Sequence, residues 1–97
     1  MSLTSSPNPS GSDALQFLIY SRSYCHLCED LREALLAALG ETAARVEMVD
    51  VDADAALVAQ YDELVPVLMG CDREGRWVQL CHYHLDEAAL RKFLASR

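Results

Sequence analysis

The chain has 97 residues, 52% of them hydrophobic, and a formal net charge of −7. This length fits one small domain with enough apolar residues for a core that needs no metal or disulfide staple. The acidic balance excludes non-specific nucleic-acid binding, because that binding depends on Lys and Arg neutralising phosphates.

No apolar run is long enough for a membrane helix, and residues 1–13 lack the basic and apolar regions of a secretory signal. We therefore predict a cytoplasmic protein with a disordered tail at residues 1–13 and one domain at residues 14–97. In that compartment the four cysteines are expected to be thiols, redox groups or metal ligands rather than structural disulfides.

The first half of the domain predicts a strand, a helix and a second strand. Consecutive apolar residues predict a buried central strand at residues 15–20. Apolar residues at three- and four-residue steps then predict a helix that ends near Leu39, with Gly40 as its stop. Residues 46–51 predict the second strand, parallel to the first because the crossover is long. The predicted apolar helix face consists of Leu27, Leu31, Ala34, Leu35, Ala38 and Leu39.

The second half predicts a short helix, a hairpin and a last helix. Asp52 or Asp54 caps a helix that ends near Tyr61, and Pro66 opens an apolar third strand. Residues 72–75 predict a hairpin turn into a fourth strand at residues 76–80. Asp86 caps the last helix, so the element order is β-α-β-α-β-β-α.

A Cys-x-x-Cys pair, Cys25 and Cys28, lies at the predicted turn from the first strand into the first helix. The positive end of the helix favours thiolate over thiol at Cys25, which is the state that attacks disulfides. Cys28, on the first turn, is close enough to close a disulfide. The alternative is a pair of ordinary cysteines at a helix start, with Cys28 buried and inert.

Three segments together resemble the glutaredoxin-like branch of the thioredoxin fold: Tyr-Ser-Arg-Ser-Tyr-Cys-His-Leu-Cys at residues 20–28, Asp-Val-Asp at 50–52, and Val-Pro-Val-Leu at 65–68. The resemblance covers residues 14–97, and small bacterial glutaredoxin-like proteins are most similar in length and pattern. It implies an α/β, thioredoxin-like fold. The implied sheet is mixed and four-stranded, in the order 2-1-3-4, with helices on both faces and a cis Val65–Pro66 bond.

The resemblance also implies roles around the dithiol. Cys25 would be the nucleophile and Cys28 the resolving thiol. Arg22 stands where glutaredoxins carry a basic residue, to stabilise the thiolate or to hold a substrate carboxylate. Tyr24 belongs to the same substrate-binding loop. His26 either carries positive charge between the sulfurs or is an exposed residue without a role.

The Val65–Pro66 corner is expected to pack beside the dithiol and to leave the Val65 backbone free to pair with a peptide or glutathione. The chain nevertheless departs from glutaredoxins in two places. His26-Leu27 replaces the Pro-aromatic insert, and the Gly-Gly-Asp segment of glutathione-binding members is absent except for Asp86. An acidic protein also repels glutathione at long range unless a local basic site captures it.

We therefore predict a thiol–disulfide oxidoreductase that reduces a protein or small-molecule disulfide through Cys25 and Cys28. It requires no cofactor, glutathione is an optional co-substrate, and its partner is a disulfide-containing protein or a low-molecular-weight thiol. Neither nucleic acid nor membrane is an expected partner. One alternative is a binding module that kept the fold and lost the turnover.

A second alternative is a metal or iron–sulfur carrier. Cys81, His82 and His84 lie near the dithiol end of the predicted sheet, and Cys81 with a histidine would complete a tetrahedral set with the dithiol. The plainer interpretation is that Cys81 is a small buried thiol on an edge strand. Cys71 is expected to be a packing residue or an exposed thiol at the far end. Trp77 is expected to be a packing residue, with a binding surface as the alternative.

Overall fold

The structure, a computed structural model, describes residues 15–23 and 25–96, so the predicted tail lies outside the described residues. The element order is the predicted one. The elements are β1 (Leu15–Ser21), α1 (His26–Leu39), β2 (Ala44–Asp50), a 3-10 turn (Val51–Ala53), α2 (Ala55–Tyr61), β3 (Val67–Cys71), β4 (Trp77–His82) and α3 (Glu87–Ala95).

The four strands form one sheet in the order β2-β1-β3-β4, which confirms the predicted fold class and strand order. β1 and β2 are parallel, whereas β3 is antiparallel to both β1 and β4. The register pairs Tyr20 with Val67 and Val67 with His82. Because of these directions, β1, β2 and β4 finish at the edge of the sheet where β3 begins.

We call that edge, with the loops leaving it, the dithiol end, because Cys25 follows β1 there. The opposite edge is the hairpin end, where the turn at residues 72–76 joins β3 to β4. Asp72 organises this turn: its Oδ1 accepts from the N–H groups of Glu74 and Arg76, at 2.9 Å each.

Alternating side chains of β1 enter two apolar clusters on opposite faces of the sheet. Phe17 and Ile19 pack on the face covered by α1 and α3, where the Phe17 and Phe93 rings meet edge to face at 5.8 Å. Leu18 and Tyr20 pack on the face covered by α2, and the Tyr20 ring stacks on Tyr61 at 4.5 Å. β1 is therefore covered on both faces, as its consecutive apolar residues predicted.

The buried stripe of α1 is narrower than the predicted face. It consists of Cys28, Leu31, Leu35 and Leu39, whereas Leu27 is 40% exposed and Ala34 and Ala38 are also exposed. The packing prediction for Trp77 was wrong, since that side chain is 44% exposed at the start of the edge strand β4. No helix in residues 15–23 and 25–96 is long and apolar enough to cross a membrane.

Candidate functional site

Cys25 is the N-cap of α1. Its backbone is extended, with φ −100° and ψ 104°, and its carbonyl accepts the first helical hydrogen bond from the Glu29 N–H at 3.3 Å. Its Sγ accepts from the Cys28 N–H at 3.1 Å. A sulfur at this position lies at the positive end of the helix dipole, which stabilises a thiolate.

Cys25 and Cys28 are joined in a disulfide, with their Cα atoms 5.3 Å apart. The two cysteines differ in accessibility: Cys25 is partly exposed, whereas Cys28 is 1% exposed and belongs to the buried stripe of α1. An incoming thiol or disulfide therefore has access to Cys25 first, which suits Cys25 to attack and Cys28 to an internal second step.

Arg22 forms ion pairs with two carboxylates, Asp52 at 3.2 Å and Asp62. The hydrogen bond to Asp62, the largest of several effects, raises the pKa of the Arg22 guanidinium. The roles expected for Arg22, as partner of the thiolate or of a substrate carboxylate, must therefore compete with these two carboxylates. Asp62 was not predicted to belong to the site, because it is 40 residues away in sequence and no local pattern links the two.

The Val65–Pro66 bond is cis, and Pro66 is buried immediately before β3. The Val65 N–H donates to the Tyr61 carbonyl at 3.1 Å. The expectation that the Val65 backbone is free was therefore wrong for its N–H, because the end of α2 already supplies an acceptor. A substrate that used this donor would have to displace the Tyr61 carbonyl.

Tyr83 connects the end of β4 to the segment before β3. Its N–H donates to the Pro66 carbonyl at 2.8 Å, and its hydroxyl donates to the Glu63 carbonyl. Its φ is +66°, in the left-handed region that bulky residues rarely adopt. Sequence reasoning missed this residue, because nothing in the local pattern indicated a tyrosine with positive φ.

The remaining residues near Cys25 are His26 and Glu29 in the first turn of α1, and Tyr24. His26 is exposed at the first position of α1, which is compatible with both alternatives, a positive charge beside the sulfurs and an exposed residue without a role. Glu29 in the same turn places a negative charge close to the helix start, which opposes a thiolate there. Tyr24 lies outside the described residues.

The candidate metal ligands Cys81, His82 and His84 border a groove with Asp86 at the end of the edge strand β4. Cys81 packs against the α1/α3 cluster, and burial raises the pKa of its thiol. Within residues 15–23 and 25–96, no three Cys, His, Asp or Glu side chains come together in a way that could hold a metal ion.

Cys71 is partly buried at the hairpin end, where its thiol donates to the Asp72 carbonyl at 3.6 Å. The sheet thus separates it from Cys25 and Cys28, as the sequence predicted. It has no place in the dithiol site.

Comparison with known proteins assigns the chain to a family. The model of the family described as glutaredoxin-like domain (DUF836) matches residues 16–95. The chain belongs to this glutaredoxin-like family. The resemblance inferred from the sequence is thereby confirmed. A comparison with curated proteins gives no match.

Solved structures agree with this assignment. The solution structure of protein Ne2328 from Nitrosomonas europaea has a TM-score of 0.72 at 28% identity, with 84% of this chain and 92% of that chain covered. The structure of target protein XcR50 from X. campestris has a TM-score of 0.60 at 34% identity, with 84% and 97% covered. A mutant thioredoxin from Halobacterium salinarum has a TM-score of 0.60 at 27% identity, with 89% and 77% covered.

Proposed function

We propose that this glutaredoxin-like protein is a thiol–disulfide oxidoreductase that reduces disulfides through Cys25 and Cys28. The observation that carries the proposal is the dithiol at the N-terminus of α1, with one accessible and one buried sulfur. Its helix-capping position is a general means of lowering the pKa of a cysteine thiol.

The reaction divides into two exchanges. The Cys25 thiolate attacks one sulfur of the substrate disulfide, so a Cys25–substrate disulfide forms and the other substrate sulfur leaves as a thiolate. Cys28 then loses its proton and attacks the Cys25 sulfur, which releases the second substrate thiolate and leaves the Cys25–Cys28 disulfide. Two electrons pass to the substrate, and an external dithiol must return them before the next cycle.

The proposal also includes the substrate-binding residues, the co-substrate and the cellular compartment. In this proposal the Pro66 corner and the Val65 carbonyl provide a backbone edge for a substrate chain, and the exposed His26 lies on the approach to Cys25. Tyr24 keeps its proposed substrate-binding role. Glutathione is an optional co-substrate, no bound cofactor is needed, and the cytoplasm is the proposed compartment, where an oxidised dithiol is regenerated by reducing systems.

The test is a redox titration followed by intact-mass spectrometry. Protein equilibrated in a series of dithiothreitol buffers is acid-quenched, denatured and alkylated, so that formation of the Cys25–Cys28 disulfide appears as the loss of two adducts from four. We expect one reversible two-electron transition. Cys25→Ser should abolish both this transition and reduction of a disulfide substrate, whereas Cys28→Ser should accumulate the mixed disulfide at Cys25.

Cys71→Ser and Cys81→Ser are the matched controls, because they remove the two cysteines outside the dithiol. Both should keep the transition and the turnover. A mass that never changes with the buffer would contradict the proposal and favour the binding module. Because the quench and denaturation release any bound metal, a separate native mass spectrum of untreated protein is recorded, and additional stoichiometric metal mass in it would favour the carrier.

A further inference from the structure

The charged side chains of this protein are distributed unequally between the two ends of the sheet. Among the described loop and strand-end residues of the hairpin end, the basic ones are Arg45, Arg73 and Arg76. The acidic ones are Glu41, Asp72 and Glu74. The two signs are therefore balanced among these residues.

At the dithiol end the balance is strongly negative. Three loops leave or enter this edge of the sheet, after β1, between β2 and β3, and after β4. Among the described residues of these loops and strand ends, Arg22 is the one arginine or lysine. The carboxylates are Asp50, Asp52, Asp54, Asp62, Glu63 and Asp86.

Arg22, the one arginine or lysine among these described residues, is already paired with carboxylates. Arg22 contacts Asp52 at 3.2 Å and also contacts Asp62, and both carboxylates come from the loop region between β2 and β3. An anionic substrate group would have to displace them to use the guanidinium. The described residues of this end therefore offer the carboxylates of glutathione no arginine or lysine that is free of an ion pair. The carboxylates of this end that form no ion pair among the described residues are Asp50, Asp54, Glu63 and Asp86.

We infer that the preferred substrate is a disulfide whose sulfurs are flanked by positive charge, and that glutathione disulfide is a poor substrate. The inference rests on the proposed function, because the substrate disulfide still reacts by forming a mixed disulfide with Cys25. The carboxylates only determine which disulfides arrive there, by attracting cationic molecules and repelling anionic ones. Such steering raises association rates by about 10- to 1,000-fold in other proteins.

The chemistry of each turnover is unchanged. The reduced dithiol gives two electrons to the cationic disulfide, two thiols are released, and Cys25 and Cys28 form their disulfide. A dithiol such as dithiothreitol supplies the electrons for the next cycle.

The test compares disulfides of different charge in a single turnover. Reduced, desalted protein is mixed with dicationic cystamine, neutral bis(2-hydroxyethyl) disulfide or dianionic 3,3′-dithiodipropionate, and oxidation is followed by acid quench, alkylation and intact mass. Each rate is divided by the rate of the same disulfide with dithiothreitol, because leaving-group pKa also affects exchange. Lysine-flanked and glutamate-flanked peptide disulfides of equal length distinguish a polypeptide substrate from a small one.

We expect cystamine to be favoured over the dianion by at least about tenfold in about 10 mM NaCl. The preference should shrink to within about twofold in about 300 mM NaCl, because the Debye length falls from about 30 Å to less than 10 Å. Preference for the lysine-flanked peptide would identify a basic polypeptide as the source of the disulfide. Preference for cystamine alone would identify a small cationic disulfide.

Two matched double variants locate the effect. Asp52→Asn with Asp62→Asn removes two negative charges and frees Arg22 at the dithiol end. Asp72→Asn with Glu74→Gln removes two negative charges and frees Arg76 at the hairpin end. The first should lower the preference for cystamine several-fold, and the second should leave it unchanged.

Three results would overturn the inference while the proposed function stands: equal normalised rates at low salt, preference for the dianion, or equal effects of the two double variants. If none of the disulfides oxidises the dithiol, the proposed function itself fails. The wild-type salt dependence remains decisive even if a double variant does not fold.

Discussion

Each end of the sheet carries an arginine between two carboxylates, but the two groups are built differently. At the hairpin end, Arg76 contacts Asp72 and Glu74, which lie within four residues of it. At the dithiol end, the partners of Arg22 lie 30 and 40 residues away in sequence. The hairpin end is therefore a local structure, whereas the dithiol end is assembled by the fold from distant segments.

The two ends also place different residues at positive φ. Gly75 has φ +84° at the hairpin turn, and a Cβ there would meet nothing within 4 Å. Tyr83 has φ +66° at the dithiol end, where two hydrogen bonds join it to the segment before β3. At the hairpin end, glycine adopts the left-handed backbone without strain. At the dithiol end, tertiary contacts hold Tyr83 in an unfavourable backbone conformation, as is common at functional sites.

Serine substitutions of cysteine should show the largest difference between the ends. Cys28→Ser places a hydroxyl in the buried stripe of α1 and should lower the free energy of unfolding by about 2 kcal/mol. Cys71→Ser should cost no more than about 0.5 kcal/mol, because serine can also donate to the Asp72 carbonyl. Urea denaturation of the reduced proteins measures both.

Cys25→Ser is the control for loss of the dithiol, and its stability should match that of the reduced wild type. Serine is a favourable N-cap and can accept from the Cys28 N–H as Cys25 does. Equal losses for Cys25→Ser and Cys28→Ser would show that the two sulfurs do not differ in burial.

The two positive-φ residues give a second, smaller comparison. Gly75→Ala should cost about 1 to 2 kcal/mol, because the added Cβ finds space but the left-handed backbone disfavours it. Tyr83→Phe keeps the backbone and removes the hydroxyl that donates to the Glu63 carbonyl, so it should cost about 1 kcal/mol. Thermal denaturation checks both, and a neutral Tyr83→Phe would show that the hydroxyl bond contributes nothing to stability.

These differences explain what the sequence could predict. Element order, strand order and the dithiol at a helix start follow from periodicity, caps and a short motif, all of which are local. Other contacts join segments that only the tertiary fold brings together. These are the ion pairs of Arg22, the hydrogen bond from the Val65 N–H to the Tyr61 carbonyl, and the hydrogen bonds from Tyr83 to the segment before β3. The exposure of Leu27 and Trp77 was missed because periodicity indicates an apolar residue but not whether another element covers it.

Replacing Arg22 and replacing Arg76 should have different effects on local opening of the backbone, and this difference is smaller than those above. Arg22→Gln should increase amide hydrogen exchange a few-fold in the 3-10 turn and α2, because it disconnects Asp52 and Asp62 from the loop after β1. Arg76→Gln should leave exchange at its own turn nearly unchanged, because the Asp72 N–H still donates to the carbonyl of residue 76. Similar increases at both ends would contradict the distinction between local and long-range assembly.

The smallest effect concerns Cys81, the free cysteine nearest the dithiol end. Burial raises the pKa of its thiol above the ordinary 9.0, although a hydrogen bond from the Asp86 backbone partly opposes the shift. Above pH 9 the unfolded chain therefore loses a proton that the folded chain keeps, so this thiol reduces stability as the pH rises through that window. Cys81→Ala should flatten the decline in urea midpoint above pH 9, and Cys71→Ala, the matched change at the hairpin end, serves as its control.

Alkylation of Cys81 in a Cys71→Ala background should also require a higher pH than alkylation of a cysteine in a short peptide. A decline of the wild-type steepness in Cys81→Ala would show that other groups cause the alkaline loss of stability.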